Sequence, residues 1–134
     1  MTPKLEEALV AEARKARKRS YCPYSKKSVG AALLCTDGSI FTGANIENSA
    51  FSPSVCAERV ALFTAVHEGK RDFVAIAVSG GDADMQSSGF TPCGVCRQTL
   101  FEFVGNDFLI LVDFGERYES YTLDKLLPFA FDMK

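Results

Sequence analysis

The hydrophobic positions of the chain first follow a helical spacing and then a strand spacing. Residues 3–20 predict an amphipathic helix, because its apolar side chains fall on one side: Leu5, Ala8, Leu9, Ala13 and Ala16. Two short apolar segments, 29–35 and 39–44, predict strands. Between them lies Thr36-Asp37-Gly38, whose Asp-Gly pair is typical of a hairpin turn.

The rest of the chain alternates between helical and strand patterns. We predict, in order, a polar loop at 45–54, a helix at 55–68 ended by Gly69, a central strand at 73–79, a loop at 80–89, a helix at 92–104, a strand at 107–112, a polar segment at 116–120 and a short helix at 122–127. The order αββαβαβα predicts a mixed sheet with helices on both faces. At this length, residues 1–134 are expected to form a single domain.

Two segments carry the chemistry, Cys56-Ala57-Glu58 and Pro92-Cys93-Gly94-Val95-Cys96. They supply three thiols and one carboxylate. Thiolates bind zinc well, and a catalytic zinc site with three protein ligands keeps its fourth position for water. A carboxylate outside the ligand set is then available to move a proton of that water. The pattern indicates hydrolysis.

The spacing within these segments predicts their geometry. Cys93 and Cys96 share a helix face at i and i+3, and Thr91-Pro92 has the form of an N-cap followed by N1. Cys56 and Glu58 lie about 200° apart on an ideal helix, so both can face one metal only if Cys56 stands at the helix mouth and Glu58 in its first turn. Thiols at helix N-termini ionise more readily.

The chain resembles the cytidine deaminases along most of its length. The resemblance rests on Pro23-Tyr24-Ser25-Lys26, Val29-Gly30-Ala31-Ala32-Leu33-Leu34, Gly43-Ala44-Asn45-Ile46-Glu47-Asn48, Cys56-Ala57-Glu58-Arg59, Pro92-Cys93-Gly94-Val95-Cys96-Arg97-Gln98 and Leu126-Leu127-Pro128. Zinc deaminases share this ligand chemistry and the Pro-Cys-x-x-Cys signature. The resemblance implies a three-layer α/β/α fold with a mixed five-stranded sheet. It also implies hydrolytic deamination of cytidine and deoxycytidine to uridine and deoxyuridine, with release of ammonia, in pyrimidine salvage.

The resemblance also assigns roles to individual residues. One Zn²⁺ per chain is held by Cys56, Cys93 and Cys96, with Glu58 as the catalytic general base and then general acid. Arg59 donates to thiolate sulfur and withdraws charge from the metal. For substrate binding, the resemblance implies that Asn45 and Glu47 hold the ribose 3′-hydroxyl, that the N–H of Ala57 donates to the base carbonyl, and that the carbonyl of Thr91 accepts from the amino group. It also implies a homotetramer in which Phe51 and Phe131 reach into the substrate site of a neighbouring subunit.

Composition limits the partners and the compartment. The net charge is −2, and the one basic run, Arg14 to Arg19, is interpreted as the solvated end of the first helix, so no nucleic acid is expected. No run of 18 apolar residues and no secretory signal is visible, so we expect no membrane partner and a cytoplasmic protein. Five cysteines fit a reducing compartment.

The sequence alone leaves three alternative functions to consider: a structural zinc module, a thiol redox protein and a different nucleoside deaminase. A structural zinc module needs a fourth ligand, and the only histidine, His67, lies roughly 16 Å along the helix from Cys56. A thiol redox protein would not need Cys56 or Glu58. Among enzymes, a blasticidin-type aminopyrimidine nucleoside deaminase is the main competitor, and the ribose pair Asn45 and Glu47 argues against it.

One position departs from the family. Lys27 stands where the family usually has a phenylalanine that packs on the nucleoside. Either Lys27 points to solvent, or its charge favours an anionic or enlarged pyrimidine substrate.

Overall fold

A mixed five-stranded sheet organises the fold. The computed structural model describes residues 1–134. Its helices are α1 (Pro3–Arg17), α2 (Ala57–His67), α3 (Gly94–Phe101) and α4 (Leu123–Leu126), and its strands are β1 (Lys27–Cys35), β2 (Ile40–Ala44), β3 (Phe73–Asp82), β4 (Leu109–Asp113) and β5 (Tyr118–Thr122).

The strands run in the order β2-β1-β3-β4-β5, so the apolar strand β3 is central, as its composition predicts. The pair β3 and β4 is parallel, and the other three pairings are antiparallel. The predicted mixed sheet is confirmed, and so is its hairpin turn, where Gly38 adopts a φ of 90°.

Helices cover both faces of the sheet. On one face, α1 packs on inward side chains of β1, β3 and β4: Leu9, Val10, Ala13, Ala32, Leu34, Ala75, Ala77 and Leu111 form one core. On the other face, α2 and α3 pack on the alternate residues of the same strands: Ala31, Leu33, Ala57, Ala61, Leu62, Ala65, Ile76, Leu100, Ile110 and Val112 belong to the second core. This alternation follows from the two-residue period of a strand, and the α/β/α layering is confirmed.

The first helix begins as its sequence favours and ends earlier than predicted. The hydroxyl of Thr2 accepts a hydrogen bond from the N–H of Leu5, and Pro3 occupies the first turn. The helix ends at Arg17 rather than at residue 20, because the N–H of Tyr21 bonds to the carbonyl of Asn45 and draws the chain toward the sheet.

The fifth strand was not located by the pattern. Residues 116–120 were predicted as a polar segment, but β5 pairs antiparallel with β4 through Tyr118–Thr122. Its side chains are mostly half-buried, as expected for an edge strand with one solvated side. The predicted helix 122–127 is shorter, at Leu123–Leu126.

An ion pair between the half-exposed Arg14 and the buried Asp113 joins α1 to the end of β4. Asp113 is 1% exposed and receives two hydrogen bonds from Arg14, at 2.8 and 2.7 Å, and one each from Ser79 and the N–H of Gly115. Burial alone would raise the pKa of Asp113, but the hydrogen bonds from Arg14, Gly115 and Ser79 outweigh it and hold the pKa below its usual value. The carboxylate is therefore charged and fully bonded inside the fold.

Candidate active site

The two cysteine segments meet at adjacent helix N-termini. The three sulfur atoms of Cys56, Cys93 and Cys96 all lie within 4.8 Å of one another. Cys93 Sγ is 3.6 Å from Cys56 Sγ and 3.5 Å from Cys96 Sγ. Segments 37 residues apart in sequence thus converge on one point.

Backbone geometry explains how α2 presents both of its functional side chains. Cys56 is the N-cap of α2, with extended φ and ψ of −78° and 155°, and Glu58 lies in the first turn. Because the N-cap residue is outside the helical spiral, the angular separation of an ideal helix does not apply to it. The predicted placement of Cys56 at the helix mouth matches the structure.

The start of α3 differs from the prediction. Its N-cap is Cys93, also extended, and the helix runs from Gly94 to Phe101 rather than from residue 92 to 104. Thr91 is therefore not the N-cap, and Pro92 precedes the helix. Arg97 holds these two residues instead: its side chain bonds to the Thr91 hydroxyl and to the Pro92 carbonyl.

The thiols cannot all ionise without a cation among them. Hydrogen bonding with Cys96 lowers the pKa of Cys56 to about 5 against the effect of burial, and Arg59 lowers it further. The same hydrogen bond, followed by burial, raises the pKa of Cys96. Three convergent sulfurs therefore need more positive charge than Arg59 alone supplies, and a bound Zn²⁺ would provide it.

Arg59 lies where a sulfur-directed donor is expected. Its Nη2 is 3.3 Å from Cys56 Sγ, and its Nε is buried without a partner. Burial works against the charge of Arg59, but hydrogen bonds to Cys56 and Cys96 dominate and raise its pKa. The guanidinium is thus a permanent cation beside the thiol cluster.

Glu58 combines burial with an unpaired oxygen. Its side chain is 4% exposed, and Oε1 has no hydrogen-bond partner. Burial raises the pKa of Glu58 to about 7. Since buried polar atoms are almost always bonded, this oxygen marks a position that a bound molecule satisfies. The three thiols and this free carboxylate fit a zinc ion with an open position.

A cavity of about 340 Å³ opens over this carboxylate. It is lined by Val29, Asn45, Glu47, Ser54, Val55, Cys56, Glu58, Arg59, Phe90, Thr91 and Cys93. The structure therefore brings together two of the ligands, the carboxylate and three of the six expected substrate contacts, Asn45, Glu47 and Thr91. Cys96 lies buried beneath the cavity.

Both predicted ribose contacts are fixed by other parts of the chain. Asn45 Oδ1 accepts from Ser20 and from the N–H of Val29, and its Nδ2 donates to the carbonyl of Lys27. Glu47 accepts from Ser25 through its hydroxyl and N–H, and from the N–H of Tyr24. The Ser25 hydroxyl is the main cause of the lowered pKa of Glu47.

Two backbone groups at the cavity are free to bind a base. The N–H of Ala57 donates to no acceptor within the chain, and the carbonyl oxygen of Thr91 accepts from no donor. The first follows from the unpaired N–H groups of a helix start. These are the two groups that the resemblance assigns to the pyrimidine ring.

Three predicted positions lie away from the cavity. Phe51 is 75% exposed and Phe131 is 68% exposed, and neither lines it. The ammonium of Lys27 forms an ion pair with Asp82 at the end of β3. The cation that an anionic substrate would need at Lys27 is thus already paired.

The sequence analysis assigned no role to several residues that the structure places at the site. Phe90 lines the cavity, Ser25 orients Glu47, and Arg97 holds the segment before α3. Ser25 and Arg97 fall within the segments of the resemblance, but nothing in their spacing indicated their partners.

A sulfur-rich zinc site with an unligated carboxylate, at the helix N-termini of an α/β/α sheet, defines the class of zinc-dependent hydrolases. The family described as "Cytidine and deoxycytidylate deaminase zinc-binding region" matches residues 3–112. A cytidine deaminase of Sporosarcina psychrophila is 49% identical over 126 residues, covering 93% of this chain and 90% of the relative. One of Halalkalibacterium halodurans is 46% identical over 126 residues, covering 93% and 92%.

Solved structures give the same result. The crystal structure of cytidine deaminase from Burkholderia pseudomallei superposes with a TM-score of 0.86 at 38% identity, covering 98% of this chain and 100% of that chain. The chain therefore belongs to the cytidine and deoxycytidylate deaminase family.

Proposed function

We propose that this protein catalyses the zinc-dependent hydrolytic deamination of cytidine and deoxycytidine, giving uridine or deoxyuridine and ammonia. The observation that carries the proposal is the buried, unpaired oxygen of Glu58 beside three convergent thiols. The blasticidin-type alternative is less supported, because relatives at 49% and 46% identity are cytidine deaminases.

Cys56, Cys93 and Cys96 would hold the metal. When bound there, zinc would act as a Lewis acid, which lowers the pKa of water from 15.7 to about 7. Three thiolates weaken this effect because they bring more negative charge than the dication balances. Arg59 counteracts the excess by donating a hydrogen bond to Cys56 Sγ.

Glu58 moves the protons. It takes one proton from the attacking water and delivers it to ring N3, and after the addition it takes a second proton from the new hydroxyl on C4 and delivers it to the leaving amino group. The water oxygen adds to C4, the bond from C4 to the amino nitrogen breaks, and ammonia leaves. A pKa near 7 for Glu58 suits a group that acts first as a base and then as an acid.

The remaining cavity residues bind the nucleoside. The free N–H of Ala57 donates to the base carbonyl, and the free carbonyl of Thr91 accepts from the amino group. Glu47, held charged by Ser25, accepts from the ribose 3′-hydroxyl, and Asn45 uses its remaining amide hydrogen there. Burial of Asn45 among strand ends fixes this contact before substrate arrives.

The assembly is proposed to be a homotetramer with shared sites. Phe51 and Phe131 are large, exposed aromatics that contribute nothing to their own cavity, as expected of side chains that complete a neighbour's site. Light scattering after size exclusion should give four chains. A fully active monomer would contradict the sharing of sites.

Pyrimidine salvage in the cytoplasm is the proposed setting. Five free cysteines, three of them thiolate ligands, are suited to a reducing compartment.

The decisive experiment replaces Glu58 by Gln. This change keeps the size of the side chain but removes its charge and its proton transfer. Since general acid–base catalysis contributes typically 10²–10⁴-fold and Glu58 serves both roles, we expect kcat to fall by about 10⁴-fold while zinc stays at one per chain. Glu68→Gln, exposed at the far end of α2, is the matched control. An active Glu58→Gln variant would refute the role.

A further inference from the structure

Arg97 connects two separate segments beside the cavity. It lies on α3, directly after Cys96, and is half-buried. Its Nε donates to the carbonyl of Pro92 at 2.6 Å, its Nη1 to the carbonyl of Leu126 at 2.6 Å, and its Nη2 to the hydroxyl of Thr91 at 3.0 Å. None of the ion pairs in the protein involves Arg97. Its charge is thus directed entirely at uncharged acceptors.

The segment that Arg97 contacts has no other internal hydrogen bonds. Phe90, Thr91 and Pro92 belong to no helix or strand, and their backbone groups take part in no backbone–backbone hydrogen bond. Pro92 has no N–H to donate. The two bonds from Arg97 are therefore the only hydrogen bonds that this segment makes within the chain.

This segment forms one wall of the cavity. Phe90 and Thr91 line it, and the free carbonyl of Thr91 belongs to the peptide that precedes Pro92. Fixing the Thr91 side chain on one side and the Pro92 carbonyl on the other leaves this peptide little freedom to rotate. The third bond, to Leu126, anchors the guanidinium to the C-terminal part of the chain.

We propose that Arg97 is a positioning residue that fixes the orientation of the Thr91 carbonyl, and through it the recognition of the amino group that is removed. This inference rests on the proposed function, because it deepens the role given there to Thr91. An arginine is required, since a planar fork reaches three acceptors in fixed directions, whereas a lysine ammonium is a single point of charge.

The experiment compares two ligands that differ at the position Thr91 recognises. Cytidine donates from an amino group, while uridine carries an oxygen there and cannot donate to a carbonyl. We expect Arg97→Gln and Arg97→Lys to lower kcat/KM for cytidine by about 10- to 100-fold, since a displacement near 1 Å can cost this much. The inhibition constant of uridine should change by less than about twofold, and zinc should remain at one per chain.

Two further variants complete the design. Thr91→Val removes one acceptor from an exposed side chain and should reduce kcat/KM for cytidine several-fold in the same selective manner. Arg71→Gln is the control, because Arg71 also donates only to carbonyls, those of Val66 and Lys70, away from the cavity. The Arg71→Gln variant should have the same kcat/KM for cytidine and the same inhibition constant for uridine as the wild type.

Each outcome decides the inference. An Arg97→Gln variant with wild-type kcat/KM for cytidine overturns the inference. A variant that loses cytidine turnover and uridine binding equally, or that loses zinc, also overturns it, because Arg97 would then support the metal centre in general. Should both Arg97 variants fail to fold, a Thr91→Val variant equal to the wild type overturns it. A wild type that releases no ammonia from cytidine refutes the proposed function itself, whereas an active wild type with an unimpaired Arg97→Gln refutes only the inference.

Discussion

At Gly43 the backbone of α2 directly approaches the backbone of the sheet, and replacing this glycine by alanine should displace the active site. Gly43 lies on β2, opposite the first turn of α2. An added Cβ would stand 2.5 Å from the carbonyl oxygen of Ala57 and 2.6 Å from the N–H nitrogen of Ala61. Both are helix backbone atoms, which cannot move aside individually.

The size of the displacement follows from these distances. The Ala57 oxygen must retreat by about 0.9 Å to reach the 3.4 Å at which ordinary contacts begin. Because Cys56 and Glu58 flank Ala57, they move with it. A displacement near 1 Å can cost about 10²-fold in rate, and overpacking typically costs about 1–3 kcal/mol of unfolding free energy.

The assay measures kcat/KM for cytidine by ammonia release, zinc content, and unfolding in urea at fixed protein concentration. The matched control is Gly105→Ala, because the only atom near an added Cβ there is a flexible carboxylate oxygen of Asp107 at 3.3 Å. We expect the control to retain activity within about twofold and stability within about 0.5 kcal/mol. A Gly43→Ala variant with wild-type activity and stability would refute the contact between helix and strand backbones.

Further predictions concern the ion pair between Arg14 and Asp113, and the metal. Replacing Arg14 by Met leaves the Asp113 carboxylate buried with only Ser79 and Gly115 as donors, so the unfolding free energy should fall by about 2–3 kcal/mol, which is below the full cost of breaking a buried pair because Arg14 is half-exposed. The control Lys15→Ala breaks the exposed pair with Glu12 and should change the unfolding free energy by less than about 1 kcal/mol. Equal effects of the two variants would contradict this reasoning. Since the pKa of Asp113 is lowered in the folded state, the stability that this carboxylate contributes is complete above the unfolded pKa near 4 and is lost as the pH falls through the folded pKa. The urea midpoints of wild type and Arg14→Met should therefore converge as the pH is lowered. Midpoints that keep a constant difference across this pH range would contradict the prediction. Removing zinc with a chelator should lower Tm by about 15 °C, since free zinc at a thousand times Kd contributes about 4 kcal/mol. An unchanged Tm would mean that the ion does not bind the folded chain preferentially.

The fold could be predicted where one periodicity dominates a segment. The apolar side of α1, the hairpin at Gly38 and the continuous apolar run of β3 each follow from local spacing. The strand β5 could not be located in this way, because Tyr118–Thr122 is half-buried and polar, and its pairing with β4 is what makes it a strand. Local signals are weakest for edge strands.

The start of α3 shows how tertiary contacts override a local signal. Thr91-Pro92 has the composition of a helix start, yet the N-cap is Cys93. The hydroxyl that would have capped the helix instead accepts from Arg97 Nη2. The donor, Arg97, lies within the helix and is itself held by the carbonyl of Leu126, 29 residues away. The local sequence pattern around Thr91 cannot indicate either contact.

The sequence predicted which side chains meet at the site, but not the hydrogen bonds that hold them in place. The convergence of three thiols and one carboxylate follows from residue types and helix geometry. The hydrogen bonds that orient Glu47 and Asn45 do not, because their donors, such as Ser25 and Val29, come from a different strand and loop. The roles of the individual substrate-binding residues remain predictions.

The 37-residue separation between Cys56 and Cys93 also bears on biogenesis. A chain emerging from the ribosome exposes one sulfur of the centre first and lacks the other two until α2 and β3 have already been synthesised. All three sulfurs can therefore bind one ion together only after the start of α3 has been synthesised.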